Sequence, residues 1–573
     1  MKFRNILYSI AGGLAAMTGL SSCSDFLVVE PQNEIILEKF WNEKADVDGI
    51  IAGCYSGMQS DNILMRMMIW GEFRSENISR GQNLDKDVNL ENILKENLTA
   101  SNWYTTWDQF YNIINRCNTV IKYAPSVAAK DPNFSDSELK ADIAEVTALR
   151  SLCYFYLIRT FRDVPYSTEA FTDDDQKMDL PATSFNNVLD SLINDLERVK
   201  GDAVTKYPAS SATKKLYQTA RITQQAIYAM LCEMYLWKQD YNNCIRYADL
   251  IIEAKKKQYQ EEYGNSSTSE LTRTNGYPLI STAYSNSASM YGNAYNQVFG
   301  EGNSTESIFE LTFMPDDNMP SNGAVSLCYG NSKNAGIMGY ASVSSFIGDD
   351  VETKAYSIFA NDYDARAYEN VMGSVIAKYT HSMTQISFSS SSPTIFTSGW
   401  YYEGKVKSNW IIYRLSDIML MKAEALTQLM SNETNFTEQD ENYYQQAFSL
   451  VNAVNKRSLC QPLTNMKDTL DASKYKSKEQ IESLVMLERQ RELMFEGKRW
   501  YDLVRRSMRD GETSFLSRQV LQKYSNNTSA IQDKFRKMDA IFWPYNVDEL
   551  KVNKNLKQNP AFGSGESGNY EKN

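Results

Sequence analysis

The sequence predicts a mostly α-helical protein, a tetratricopeptide-like helical-repeat scaffold that carries long irregular loop insertions. Three observations support this prediction. Apolar residues recur at helical spacing in paired segments, short polar turns separate the two members of a pair, and the segments between pairs are rich in Gly, Ser, Asn and Tyr. Helix pairs of this kind cannot bury their apolar faces alone, so we expect them to stack against one another.

The clearest helix pair lies approximately between residues 219 and 255. Its first helix places Ala226, Met230 and Met234 at i, i+4 spacing, and a polar turn follows at Lys238-Gln239-Asp240. Small residues alternate with tyrosines along both helices, which lets the two backbones approach while aromatic rings fill the gaps. The pair looks like a tetratricopeptide unit, whose repeat is about 34 residues.

Three weaker helix pairs have the same shape. They cover approximately residues 45–125, 139–200 and 410–457. A final helix is predicted from about residue 478 to 508. Two loop-rich insertions are expected, approximately over 263–348 and 382–404. Their aromatic content argues against disorder, so we expect these long insertions to be functional.

The first 22 residues have the features of a lipoprotein signal peptide. Lys2 and Arg4 precede a weakly apolar stretch that is too short and too interrupted by glycine to span a membrane. The stretch ends in Leu20-Ser21-Ser22-Cys23, which resembles the lipobox of bacterial lipoproteins. We therefore expect cleavage before Cys23, acylation of its thiol with chains such as palmitate, and a mature domain over 23–573. The alternative is an ordinary signal peptide followed by an incidental cysteine.

Charge and reactive-residue content argue against several function classes. The formal net charge of −12 is opposite to what nucleic-acid binding needs. The cysteines form no CxxC motif and are widely spaced, so a zinc site is not expected. His381 is the only histidine and lies in a Ser-rich segment, where a lone histidine is most often solvated. A hydrolase with a pair of carboxylates stays open, because the chain has 71 Asp and Glu residues.

An apolar stripe in the final helix continues into charged residues. Ile481 and Leu484 begin the stripe, which at helical spacing meets Glu488, Glu492 and Arg499. Charges on a buried helix face need partners. We therefore predict that these residues form a structural ion-pair network, with a catalytic carboxylate pair as the alternative.

Six stretches, in order along nearly the whole chain, resemble the motifs of the SusD/RagB family. They are Cys23 to Leu27 with Phe40-Trp41 and Gly53-Cys54-Tyr55; Ala144 to Pro165; the helix pair from Ala226 to Ala248; Arg414 to Ala425; Glu488 to Arg505; and Phe542-Trp543-Pro544 with Gln558-Asn559-Pro560. One departure is Arg162, where many relatives have Gly.

The resemblance implies a lipoprotein of the cell outer membrane that faces the exterior and works with a TonB-dependent, SusC-like transporter. Members act as lids that bind an oligosaccharide, or in the RagB branch a peptide, and pass it inward without breaking a bond. We expect a carbohydrate-binding protein of polysaccharide utilisation that is not an enzyme, needs no cofactor and touches the membrane only through its lipid. A peptide-binding lid, a glycoside hydrolase and a protein-binding adaptor are the alternatives. Calcium occurs in some relatives, and Asp349-Asp350 and Asp362 to Asp364 would allow it, but no metal site is assigned.

A glycan site needs flat aromatic faces and hydrogen-bonding amide or guanidinium groups. The resemblance implies that the site uses a loop after the first helix and a mid-chain loop, roughly residues 72–97 and 318–345. The first segment has no Trp or Tyr, unlike the starch site of the founding member, so starch is not favoured. For each aromatic, burial in the core or contact with the transporter is the alternative. The candidate ligand-binding residues are Arg80, Asn83, Tyr329, Tyr340, Trp400 and Tyr401.

Overall fold

A computed structural model gives the fold. It describes residues 40–173, 175–208, 218–264, 274–280, 289–291, 293–315, 320–332, 337–348, 358–359, 363–389, 392–402, 404–460 and 470–563. The predicted signal peptide and Cys23 lie outside these ranges, as do Asp349, Asp350 and Asp362. No helix in the described ranges is both long and apolar enough to cross a membrane.

Helices dominate the described chain, as predicted. They are α1 Lys44–Met58, α2 Asp61–Met68, α3 Val88–Leu94, α4 Asp108–Ala128, α5 Asp136–Phe161, α6 Phe185–Val199, α7 Gln224–Trp237, α8 Tyr241–Tyr263, α9 Asn293–Tyr295, α10 Gly323–Cys328, α11 Ser345–Gly348, α12 Arg366–Glu369, α13 Leu415–Leu429, α14 Glu438–Ser458, α15 Lys478–Leu493, α16 Arg499–Asp510, α17 Ser514–Leu521, α18 Thr528–Phe535 and α19 Val547–Val552. The prediction of a mostly α-helical fold is confirmed.

Short strands join the helical blocks. They are β1 Ile78–Arg80, β2 Val164–Pro165, β3 Ala182–Thr183, β4 Ser289–Tyr291, β5 Ser307–Leu311, β6 Gly330–Ser332, β7 Ile337–Met338, β8 Ala341–Val343, β9 Val371–Met372, β10 Val375–Ile376, β11 His381–Ser389, β12 Ser392–Trp400 and β13 Trp410–Arg414. Antiparallel pairs form between β1 and β8, β2 and β3, β5 and β13, β6 and β7, and β9 and β10, while β12, β11 and β4 form a sheet in that order.

The long helices stack side by side around a common core. Helix α1 packs on α4, α4 on α5, α5 on α6, and α7 on α8, which in turn packs on α13. The largest cluster of buried apolar residues runs through these helices, and a smaller one lies among α13, α14 and α15. This stacking is what helix pairs with one apolar face require.

Helix α5 shows how local sequence sets the limits of an element. At its start the Ser135 side chain accepts a hydrogen bond from the backbone of Glu138, whose own side chain bonds back to the Ser135 backbone. This capping box satisfies N–H groups that have no partner inside the helix. The helix ends at Arg162, whose φ is +70° and ψ is −74°. That backbone conformation explains why glycine suits this position in relatives.

The segment between residues 381 and 400 differs from the irregular loop that its serine content predicts. Strands β11 and β12 pair along most of their length, from His381 opposite Trp400 to Ser389 opposite Ser392. Both strands are rich in Thr, Ile and Phe, which favour extended backbone. The two paired strands therefore form a β-hairpin, whose last described pair is Ser389 with Ser392.

Candidate functional site

The two segments that the family resemblance singles out lie side by side. Strand β1 pairs with β8 so that Arg80 lies opposite Ala341. Immediately after β1, the Gly81 N–H donates to the Tyr340 carbonyl at 2.8 Å. A Cβ at Gly81 would lie 2.4 Å from the Gly339 carbonyl oxygen, so the two loops can approach this closely only because that residue is glycine.

Asp87 links this loop pair to the helix that follows. One of its carboxylate oxygens caps α3 by accepting from the Leu90 N–H at 2.9 Å, and the other accepts from the Tyr104 hydroxyl at 2.5 Å. Burial and this hydrogen bond raise the pKa of Tyr104, so its hydroxyl stays a donor at neutral pH. The segment that carries Tyr104, a short 3-10 helix over Trp103–Thr105, is thereby held against α3.

Trp103 is the most accessible tryptophan in the described chain. Its side chain is 55 % exposed although it is large and apolar. Its backbone N–H donates to the Asn89 Oδ1 at 3.1 Å, and the Arg66 guanidinium lies 5.7 Å from its ring centroid. These contacts fix the indole while leaving one part of it open to solvent.

We give the name Trp103 face to four apolar residues that surround Asp87 and Tyr104, since the Tyr104 hydroxyl bonds to Asp87 and both groups interact with Tyr340. It comprises Val88, Trp103, Leu327 and the half-buried Tyr340. Val88 and Leu327 are 63 % and 42 % exposed, and the Tyr340 N–H donates to the Leu327 carbonyl at 3.0 Å. An exposed apolar surface bordered by polar groups is typical of a binding site.

The structure brings Arg80, Asn83 and Tyr340, three of the candidate ligand-binding residues, close together. Arg80 is exposed at the end of β1, and Asn83, two residues after Gly81, has its N–H 3.5 Å from the Gly339 carbonyl. The predicted window of 72–97 ended before Trp103, so sequence reasoning missed this residue. Its polar setting, directly after a helix-capping Asn102, is the only local signal that could have pointed to it.

Tyr329 has a different environment from Tyr340. Its side chain is 1 % exposed, and its hydroxyl donates to the Phe495 carbonyl at 3.0 Å. The Tyr329 ring also meets the ring of Phe495 edge-on, with 6.0 Å between centroids. Tyr329 therefore packs in the core and is not part of the Trp103 face. Burial in the core is the alternative that was given above for each candidate aromatic residue.

Trp400 and Tyr401 make their contacts at the base of the β11–β12 hairpin. The ring of the half-buried Trp400 lies 5.3 Å from that of His381, and Tyr401 is buried, with its N–H donating to the Thr380 carbonyl at 3.1 Å. The next residue, Tyr402, is 68 % exposed. These aromatics form a separate group around His381.

His381 is fully buried rather than solvated. Its ring stacks on that of Tyr295 with 4.4 Å between centroids. Burial lowers the pKa of His381 to about 4, so the imidazole is neutral at physiological pH. Because strand β11 begins at this residue and packs against the segment that follows Tyr295, the side chain is carried inward despite its polar sequence neighbours.

Family comparisons agree with the motif pattern. The family model described as the SusD family matches residues 255–562, which is more than half of the chain. A second family model, described as starch-binding and associating with the outer membrane, matches residues 25–236.

The chain belongs to the SusD family.

Several relatives resemble this SusD-family chain over most of their length. SusD-like proteins P38 and P2 of Formosa agariphila are 25 % and 22 % identical to it, covering 98 % and 85 % of this chain and 100 % and 88 % of the relatives. A SusD superfamily structure from Bacteroides thetaiotaomicron aligns with a TM-score of 0.61 at 21 % identity, over 91 % of this chain and 99 % of that one. A laminarin-binding SusD-like structure aligns with a TM-score of 0.58 at 16 % identity, over 91 % and 100 %. These structures share the fold.

The charged helix motif of the SusD family forms the predicted ion-pair network. Glu492 accepts from Arg366 at 3.1 Å, from Arg414 at 2.5 Å and also from Arg457, and all four side chains are buried. Burial alone would raise the pKa of Glu492, but the three guanidinium groups hold it well below its usual range. The prediction of a structural network is confirmed.

The same motif ties the C-terminal helices to the start of the SusD-family domain. Arg499 donates to the Glu76 carboxylate, from Nε at 3.0 Å. Glu72, which is also buried, accepts from the backbone N–H groups of Phe495 at 3.0 Å and Lys498 at 3.2 Å. These carboxylates are therefore engaged inside the fold.

The described chain offers little to a metal ion. It contains no group of three or more His, Cys, Asp and Glu side chains that could hold one. Of the acidic residues that would allow calcium, Asp364 pairs with Arg366 at 2.8 Å, and Asp349, Asp350 and Asp362 lie outside the described residues. The seven described cysteines are all buried and none forms a disulfide.

Proposed function

We propose that this SusD-family protein is a surface-exposed lipoprotein that captures oligosaccharides and hands them to a TonB-dependent, SusC-like transporter. Family membership and the likeness to a laminarin-binding SusD-like structure support a glycan ligand. The description of the second matching family as starch-binding and associating with the outer membrane supports the location. The observation that carries the proposal is the Trp103 face, where an exposed indole is fixed from behind.

The Trp103 face suits the chemistry of a sugar ring. The apolar side of a sugar stacks on a flat aromatic surface, and its hydroxyls need donors and acceptors at the edge. Trp103 and Tyr340 supply aromatic surface, and Arg80 and Asn83 lie along the adjoining loop. Since Asn89 and Arg66 already hold the Trp103 segment in place, little ordering is needed on binding.

Attachment to the membrane is proposed to depend on lipid alone. Residues 1–22 would be removed as a signal peptide, and Cys23 would carry acyl chains at the head of a domain spanning 23–573. Several acyl chains on one residue anchor a protein firmly, because each buried CH₂ contributes about 0.8 kcal/mol. The protein would then face the cell exterior.

The ligand is proposed to leave the protein chemically unchanged. The only histidine is buried, Glu492 of the charged helix motif is bound by arginines, and Glu76 is bound by Arg499 of that motif. These features support binding without catalysis.

Calorimetry combined with mass spectrometry of the ligand tests the proposal. The soluble form, begun after Cys23, is titrated with laminari-oligosaccharides, other neutral oligosaccharides, acidic oligosaccharides and peptides, and each ligand is weighed after incubation. We expect an oligosaccharide to bind and to keep its length. Binding of peptides alone would replace the glycan proposal with a RagB-like one, and a shortened ligand would show that the protein is an enzyme.

A further inference from the structure

A second concave feature adjoins the Trp103 face. A pocket of about 310 Å³ lies between β1, α3 and the residues just after α17. Its charged lining residues are Arg80, Glu91, Lys95 and Lys523. Three cations thus face a single carboxylate, in a chain whose formal net charge is −12.

The cations of this pocket are incompletely paired. Lys95 forms an ion pair with Glu91 at 2.8 Å on the same helix. Arg80 is exposed, and its guanidinium is near enough to the Glu91 carboxylate to lower the pKa of Glu91 further than Lys95 alone does, but it forms no ion pair or hydrogen bond with a described residue. An arginine fork left open in this way can bind a carboxylate or a sulfate through two parallel hydrogen bonds.

Lys523 supplies a second available cation from the pocket wall. Its ammonium donates to the carbonyls of Phe73 at 3.0 Å and Ser75 at 2.8 Å. The Lys523 ammonium also lies 5.3 Å from the Tyr524 ring centroid, and the carboxylates of Glu96 and Glu76 act on it from beyond ion-pair distance. Its two hydrogen bonds leave one of its three N–H donors for a ligand. Burial lowers the pKa of Lys523 to about 8, because removing the charged ammonium from water has a desolvation cost. An anion in the pocket would offset that cost.

The pocket and the Trp103 face lie at opposite ends of one short helix. Asn89, which holds Trp103, is in the first turn of α3, and Lys95 caps its C-terminal end. Six residues of α-helix span about 9 Å. Arg80 also lies three residues before Asn83 on the loop that pairs with Tyr340. A single extended ligand can therefore contact both places.

We propose that this pocket receives an oxyanion carried by the glycan, a uronate carboxylate or a sulfate ester, held by Arg80 and Lys523, so that the natural ligand is an acidic oligosaccharide. This inference rests on the proposed function, which it narrows to charged glycans. Stacking on Trp103 would contribute affinity for many kinds of sugar, and the anion pocket would select glycans that carry a negative charge.

Small anions test the pocket independently of any glycan. Inorganic sulfate and D-glucuronate are titrated into the soluble form by calorimetry at low ionic strength. We expect saturable binding of at least one of them, and Arg80→Gln should weaken it roughly tenfold or more, because a hydrogen bond to a charged group is lost. Arg198→Gln, which alters an arginine that is 61 % exposed on α6, is the matched control and should change nothing.

Lys523→Met is the second variant. It also removes two hydrogen bonds to backbone carbonyls, so Arg80→Gln remains decisive if Lys523→Met lowers the stability. If neither anion binds saturably, or if wild type and Arg80→Gln bind the anions equally, the pocket is not an anion site. This conclusion does not depend on the results with glycans.

Paired glycans then separate carboxylate from sulfate. An oligouronate is compared with the same material after its carboxylates are reduced to alcohols, and a sulfated oligosaccharide with its desulfated form. We expect one charged member to bind roughly tenfold or more tighter than its neutral partner. Equal affinity for charged and neutral members would overturn this inference and leave the proposed glycan function standing, whereas binding of peptides alone would overturn the function itself.

Discussion

The imidazole of His381 lies between aromatic rings in the interior of the protein. Its Nε2 is 3.4 Å from the Glu369 carbonyl, and Nδ1 is buried without a hydrogen-bond partner among the described residues. Protonation would place a charge in the interior of the protein, and burial therefore disfavours it. At the scale of single residues, the pKa of His381 therefore reports whether this part of the core stays buried.

The pH titration of His381 should be displaced towards acid. Unfolded, the group titrates near 6.5, and folded near 4, so folding favours the neutral form. Its contribution to stability is complete above pH 6.5 and is lost as the pH falls towards 4, in total about 3 kcal/mol. Because His381 is the only histidine, NMR gives one imidazole signal. A native signal that titrates near 6.5, as it should in urea, would contradict this burial.

Arg162 stores backbone strain at the end of α5. The Asp163 N–H donates to the Phe161 carbonyl at 3.1 Å, so Arg162 is the centre of a three-residue turn with positive φ. Such a turn is strained for any residue with a Cβ. The Arg162 side chain also pairs with Asp163 and Asp539 at the surface.

Arg162→Gly and Arg162→Ala separate these two effects. Both variants lose the ion pairs, but only glycine relieves the backbone. We expect the glycine variant to be more stable than the alanine variant by about 1 kcal/mol, measured as the difference in free energy of unfolding in urea. Equal stabilities, or a more stable alanine variant, would argue against a strained turn.

Among the elements, α15 joins segments that lie far apart in the sequence. Its Glu492 is bound by arginines from α12, β13 and α14. The helical stripe that ends in glutamates predicted a buried network, but it could not predict the partners, which lie up to 126 residues away. Spacing within one helix shows which face is buried and leaves open what covers it.

Removing Glu492 should destabilise the fold strongly. Glu492→Ala leaves three buried guanidinium groups without their shared carboxylate, and we expect a loss of about 3–5 kcal/mol in the free energy of unfolding. Glu253→Ala, which breaks an exposed pair with Lys256, is the control and should cost at most about 1 kcal/mol. An unchanged melting temperature of Glu492→Ala together with lost ligand binding would make α15 part of the binding site instead.

Two further features that local sequence did not predict also depend on contacts between different elements. Trp103 and Trp107 have similar sequence surroundings, yet the first is 55 % exposed and the second 3 %, because Trp107 faces Phe161 and Tyr545 from other elements. The pairing of Arg80 with Ala341 joins residues far apart in sequence, and here the family resemblance supplied what local pattern could not. Spacing predicted most of the long helices, but the single helix predicted from about 478 to 508 is divided into α15 and α16, because Phe495 and Gly497 between them have positive φ.

At the scale of the whole molecule, the stacked helices support the irregular segments that carry the proposed binding surface. The proposed anchor residue lies well before the first described helix, which begins at Lys44. A lipid at Cys23 would therefore attach the domain from the N-terminal side of the described helices. The helical core would keep the Trp103 face in shape while the domain stays at the membrane.

Cys23→Ala should separate folding from attachment. We expect the variant to leave the membrane fraction, or to remain unprocessed, while the domain keeps its melting temperature, because Cys23 precedes the folded helices. Membrane fractionation and mass spectrometry of the mature N-terminus measure this outcome. An unmodified Cys23 in the mature wild-type protein would reject the proposed anchor.

The affinity of Trp103→Ala for the tightest-binding oligosaccharide shows whether the glycan stacks on the Trp103 face. By analogy with bases stacked on aromatic side chains, losing one stacked ring should cost about 1–3 kcal/mol, a rise in Kd of roughly 5- to 150-fold. Tyr402→Ala removes an aromatic ring that is 68 % exposed at the end of the β11–β12 hairpin, and it should leave Kd unchanged. If Trp103→Ala binds as tightly as wild type, the glycan does not lie on the Trp103 face, and if Tyr402→Ala is the weakened variant, the site lies at the hairpin.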